Sequence, residues 1–94
     1  MLNPINLLST NERQIVYNFA YTTNYNISGT DLKEFIKAHG EAIFKYDFKT
    51  ACRVELFLNE ILENTTERHM KNKISKFLER TPNNVFPVDM RKFS

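Results

Sequence analysis

Along the chain, apolar residues recur at helical spacing in four stretches, with turn-forming residues between them. Val16, Phe19 and Ala20 stand at i, i+3, i+4 in the first stretch. Leu32, Phe35 and Ile36 do so in the second, and Met70, Ile74, Phe77 and Leu78 form a narrow stripe in the last. The third, from Phe48, is the broadest: Ala51, Val54, Leu58, Ile61 and Leu62 keep the helical period, and Leu56 and Phe57 widen the face. So wide an arc predicts burial against more than one neighbour and makes this the central helix.

Capping chemistry sets the boundaries. Ser9-Thr10-Asn11-Glu12 is a capping box, in which the serine oxygen accepts from the third amide and the glutamate reaches back to the cap amide. The helix it opens should run to about residue 21, before Thr22-Thr23-Asn24-Tyr25-Asn26 breaks the pattern. Ser28 starts the next helix, and Gly40 stands where a left-handed residue would end it, with His39 in the last turn. Asn64-Thr65-Thr66-Glu67 closes the central helix and caps a final one over about 66–80, which Pro82 stops. Asn3-Pro4 predicts a further turn of helix over 4–8.

Two stretches are less regular. In 41–48, Ala42, Phe44, Tyr46 and Phe48 alternate with Ile43, Lys45, Asp47 and Lys49, close to strand period. Helix is favoured, because no second strand of comparable quality exists to pair with it. The segment 81–94 holds Val85, Phe86, Val88, Met90 and Phe93, with Pro87 forbidding a helix through its centre. An apolar tail of this kind is expected to dock, either on its own bundle or across to a partner or second copy in a homodimer. The expected fold is therefore all-α. It is a compact bundle of four or five short helices forming one domain over 1–94, with an extended C-terminal tail.

Composition narrows the function classes. With 94 residues there is room for one core only. Eight Phe and four Tyr exclude a disordered chain. The lone Cys52 excludes an internal disulfide, and no apolar run approaches a bilayer span. The N-terminus lacks the basic and apolar regions of a signal peptide, so the expected compartment is the cytoplasm, that of a host cell if the source is viral. Plentiful Asn, Lys, Phe and Ile fit an A/T-rich genome such as that of many bacteriophages.

Catalytic signatures are missing: there is no nucleophile elbow, no HExxH, and no glycine-rich phosphate loop. His39 and His69 lack metal-pair spacing and read as helix-end or surface histidines. Cys52 reads as a small core residue, and Glu60 with Glu63 as a solvated pair. No enzyme, cofactor or metal is expected. The strongest chemical feature is basic. Arg68, His69, Lys71, Lys73, Lys76 and Arg80 fall on one helix, opposed only by Glu67 and Glu79. Such a face attracts phosphates or an acidic protein surface. The segment from Leu8 to Val16 resembles the first helix of sigma-factor DNA-binding regions, a likeness confined to that helix that assigns no family. The expectation is a small non-catalytic module that binds another protein, in the manner of a phage accessory or inhibitor. The alternative is a nucleic-acid-binding regulator using the basic helix.

Overall fold

The structure is a computed structural model, and it describes residues 8–80. Four helices follow in order: α1 (Thr10–Thr22), α2 (Gly29–Phe44), α3 (Phe48–Asn64) and α4 (Arg68–Arg80). No strand occurs among the described residues. The fold is an all-α bundle, as the periodicity predicts. The expected turn of helix over 4–8 and the expected docking of the 81–94 tail fall, but for Leu8, outside the described residues.

Helix α3 is the axle on which α1, α2 and α4 each pack. Its arc of Ala51, Cys52, Val54, Leu56, Phe57, Leu58 and Ile61 is buried throughout, with Leu58 and Ile61 wholly so. Around it lie Val16 and Ala20 from α1, Leu32 and Ala42 from α2, and Met70, Ile74 and Phe77 from α4. Short helices are marginal in isolation, so this shared burial is what holds each of them.

The starts of the helices follow the chain's capping chemistry. The Ser9 hydroxyl accepts from the Glu12 amide at 3.1 Å, and the Ser9 amide donates to Glu12 Oε1 at 2.8 Å, completing the box. Ser28 accepts from the Asp31 amide at 3.0 Å. Asp47 accepts from both the amide and the hydroxyl of Thr50 at the head of α3, and those two bonds hold its carboxyl below the usual carboxylate range. Asn64 is the last residue of α3 rather than a cap of α4: its side-chain amide donates back to the Glu60 carbonyl. The chain then needs three residues to turn, so α4 starts at Arg68 and not near 66.

The ends differ more from expectation. Gly40 does not stop α2, which runs on four residues to Phe44. No glycine has a positive φ. The continuation is stabilised by Ala42, buried against the core, and Ile43, packed beside it. Helix α2 instead closes at Tyr46, whose φ of 60° is left-handed. There the Tyr46 amide donates to the Ile43 carbonyl and the Asp47 amide to the Ala42 carbonyl at 2.8 Å, the paired bonds of a Schellman motif. Helix α1 ends the same way at Asn24, φ 57°, with Asn24 donating to Tyr21 and Tyr25 to Ala20. The ambiguous 41–48 stretch is therefore the last turn of a helix, a Schellman turn and the first residue of the next helix. Its strand-like alternation marks exposed aromatics: Phe44 and Tyr46 are largely in solvent, and the Tyr46 and Phe48 rings meet edge-on.

Candidate functional site

Two surface regions and one buried pair carry the chemistry of the bundle. The first surface is α4. Its inward stripe of Met70, Ile74 and Phe77 packs on α3. The predicted basic residues Arg68, His69, Lys71, Lys73 and Lys76 are all exposed. Arg80 is the last residue of the helix, and its side chain lies outside the described residues. At 100° per residue the basic positions divide between flanks. His69, Lys73 and Lys76 stack at i, i+4, i+7 on one flank, and Arg80 continues that register. Lys71 lies on the opposite flank, and Arg68 on the outer ridge with Asn72 and Glu79.

The stacked flank borders an open cleft of about 510 Å³. His69, Met70 and Lys73 form one wall, with Glu67 at its end, and Thr23, Asn26, Ile27, Ser28 and Gly29 from the α1–α2 connection form the other.

The second surface is apolar and was not anticipated from sequence. Phe57 of α3 is flanked by Phe19 of α1 at 5.0 Å and Phe35 of α2 at 4.9 Å between ring centroids. These rings floor a cleft of about 170 Å³, closed at its sides by Ile15, Val16, Val54 and the Arg53 side chain. Ile15 is 67% exposed and Phe19 50% exposed, unusual for large apolar groups beside an apolar hollow. The signal that could have found it is Ile15, off the Val16/Ala20 stripe, with Phe19 one turn on at i+4 on the same side.

At the rim of this cleft, the Arg53 guanidinium donates to Glu12 Oε2 at 2.8 Å, and Lys49 Nζ lies 3.5 Å from Glu12 Oε1. Two cations thus share one carboxylate. The Ser9 amide and the Arg53 guanidinium pull the Glu12 carboxyl down to about 2, with Lys49 adding to the pull. The capping glutamate therefore also ties the start of α1 to the first half of α3.

His39 is neither helix-end nor surface. It is 2% exposed, its Nε2 lies 2.6 Å from Glu55 Oε2, and its ring meets Phe77 edge-on at 5.0 Å. One buried polar contact thus joins α2 to α3, and the ring contact carries it on to α4. Two signals were legible: Glu55 falls inside the apolar arc of α3, between Ala51 and Leu58, and His39 continues the Leu32/Phe35/Ile36 stripe. The second was hidden by the expectation that the helix stops at Gly40.

Cys52 is buried in the core, as read, and burial together with the nearby Glu55 pushes its thiol up to about 12. That is the opposite of an activated nucleophile. Glu60 is half-buried beside exposed Glu63, and burial first, then the like charge, raises its carboxyl. No group of three or more His, Cys, Asp or Glu residues suited to a metal ion occurs among the described residues. No helix among them is long and apolar enough to cross a membrane. The chain matches no family model, no curated protein and no solved structure.

Proposed function

We propose that this chain is a small non-catalytic binding module that captures a protein partner through the cleft between α1, α2 and α3. The observation that carries the reading is the apolar cleft lined by Phe19, Phe35 and the buried Phe57, with Ile15 and Phe19 left exposed. Left in water, that surface costs the monomer stability; covered by a partner, it supplies association energy.

The geometry describes the partner. An apolar cavity of roughly 150 Å³ accepts one benzene-sized group, so about 170 Å³ fits a single aromatic or branched aliphatic side chain. Arg53 lines the cleft and, with Lys49, shares the single carboxylate of Glu12, so a carboxylate next to that side chain complements it. The expected ligand is an acidic segment presenting one apolar anchor, and the module acts by occupying the protein that bears it. Burying such an anchor contributes about 1.5 to 3 kcal/mol, or roughly 10- to 150-fold in Kd.

The test compares affinity capture from lysate by the parent, by Ile15→Asp, and by the double variant Lys73→Gln/Lys76→Gln, each verified as folded by circular dichroism. The proposal expects a protein held by the parent and by the lysine variant but lost by Ile15→Asp. Purified, that protein should bind the parent at 1:1 and lose binding when its own anchor is replaced by Ser. Capture of nothing, or of proteins that Ile15→Asp holds equally well, would overturn it.

A further inference from the structure

We infer that the His69/Lys73/Lys76 flank of α4 and the cleft beside it form a binding surface for the phosphodiester backbone of nucleic acid, without sequence readout. The inference is independent of the apolar cleft.

Three observations carry it. First, the basic side chains are stacked and, among the described residues, stand in no ion pair. Elsewhere Lys49 and Arg53 share Glu12, but His69, Lys73 and Lys76 have no ion-pair partner among the described residues. Lys73 and Lys76 are like charges three residues apart, which weakens a helix, so their stacking does not serve stability. Glu79 stands three residues from Lys76, close enough to be its neighbour on the helix surface, but no ion pair joins them among the described residues.

Second, the flank faces a surface that can donate hydrogen bonds. The Asn26 side-chain oxygen accepts from the Ile27 amide at 3.0 Å, which leaves its NH₂ group to donate outward. Gly29 opens α2, where the first amides have no acceptor within the helix. Lys73 and His69 stand across the cleft from both. Glu67 is the acid that lines this cleft. Asp31 stands in the first turn of α2, where its amide donates to the Ser28 hydroxyl.

Third, the spacing suits a strand. The register puts His69, Lys73 and Lys76 at axial intervals of about 6 and 4.5 Å, each covering one to two steps of a backbone that rises about 3.4 Å per nucleotide. Among the described residues no exposed Phe, Tyr or Trp lies on this flank. Its contacts therefore go to phosphates, which position without specifying.

The test is fluorescence anisotropy of a labelled 20-base-pair duplex of arbitrary sequence, titrated with the full chain between 20 and 200 mM salt. The parent should bind at low salt and weaken steeply as salt rises. Each phosphate-contacting cation contributes about 0.9 to the log–log slope, so Lys73→Gln/Lys76→Gln should flatten it by about 1.8 and lower affinity at least tenfold at 50 mM salt. Arg68→Gln/Lys71→Gln removes the same charge off the flank and should change affinity less than twofold. A second duplex of scrambled sequence should bind equally. Equal loss in both doubles means net charge alone and overturns the inference. So does failure of the parent to bind at 20 mM salt. So does poly-glutamate binding as tightly as the duplex with the same dependence on Lys73 and Lys76, which would assign the flank to acidic protein.

Discussion

Replacing Gly40 by Ala tests the end of α2 by the sign of its effect. In the structure Gly40 is a helix-interior residue, four short of Phe44, with no positive φ. A methyl group built on it meets nothing within 4 Å, and the position is exposed. Packing therefore contributes nothing in either direction, and only the backbone is left to decide. Alanine is favoured over glycine inside a helix by about 0.5 to 1 kcal/mol. For a domain of this size, 1 kcal/mol shifts Tm by roughly 4 to 8 °C, so Gly40→Ala should melt about 2 to 8 °C above the parent. If residue 40 were the left-handed terminator that its place after His39 suggests, the methyl would cost about 1 to 2 kcal/mol instead. Thermal melts followed at 222 nm, with urea titrations to check that the m-value is unchanged, separate the two. A fall in Tm would refute the continuous helix and, with it, the placement of His39 in the core.

Four further outcomes are expected. Tyr46→Gly should be stabilising by up to about 1 kcal/mol, since it relieves a left-handed residue at the loss of an exposed edge contact with Phe48; a lower denaturation midpoint would show that the ring matters more than the backbone. Leu58→Ala should cost about 2 to 5 kcal/mol, because Leu58 has no exposed surface, and a variant that melts like the parent would remove α3 from the core. Glu55→Ala leaves the buried His39 ring without this hydrogen-bond partner and should cost about 1 to 3 kcal/mol. In a double-mutant cycle with His39→Leu by urea denaturation, additive losses would mean that the 2.6 Å contact carries no coupling. Glu12 is ionised far more readily in the fold than its ordinary value of 4.5. Its bonds to Ser9 and Arg53 therefore contribute fully above about pH 4.5 and fade as the pH falls toward 2. Between pH 7 and pH 3, Tm should accordingly fall more for the parent than for Glu12→Gln; parallel curves would argue against that linkage.

What the sequence made legible was whatever depends on near neighbours. The capping box at Ser9 and the cap at Ser28 are interactions over three residues, and both form as written. The breadth of the α3 arc follows from period alone, and so does its central place. Gly40 misleads because glycine permits a left-handed turn without requiring one. Whether α2 stops there is decided by Ala42 and Ile43 finding a core to pack on, a tertiary fact. Tyr46 shows the reverse, an aromatic residue held left-handed because the bonds from Tyr46 and Asp47 close the helix behind it. The pairing of His39 with Glu55 spans 16 residues, and no local rule reports it. The basic residues of α4 were visible as a cluster, but their division between flanks needs the buried stripe as reference. The apolar cleft needs three helices at once; Ile15 beside Phe19 was its one local sign, and Phe35 and Phe57 join them only in the fold.

That α1, α2 and α4 each pack chiefly on α3 has a consequence for how the chain assembles and how it can vary. Both α2–α3 and α3–α4 join neighbours in sequence, so two of the three main packings close short loops at little entropic cost. Local topology of this kind favours fast folding, and the hairpin of α3 with α4 can form before α1 has found its groove. The same layout separates tasks. An outer helix can exchange its solvent side without asking the other outer helices to adjust, so the α1 rim and the α4 flank are free to diverge at different rates. Change in α3 has no such freedom, because every substitution on its wide face is felt by three partners together.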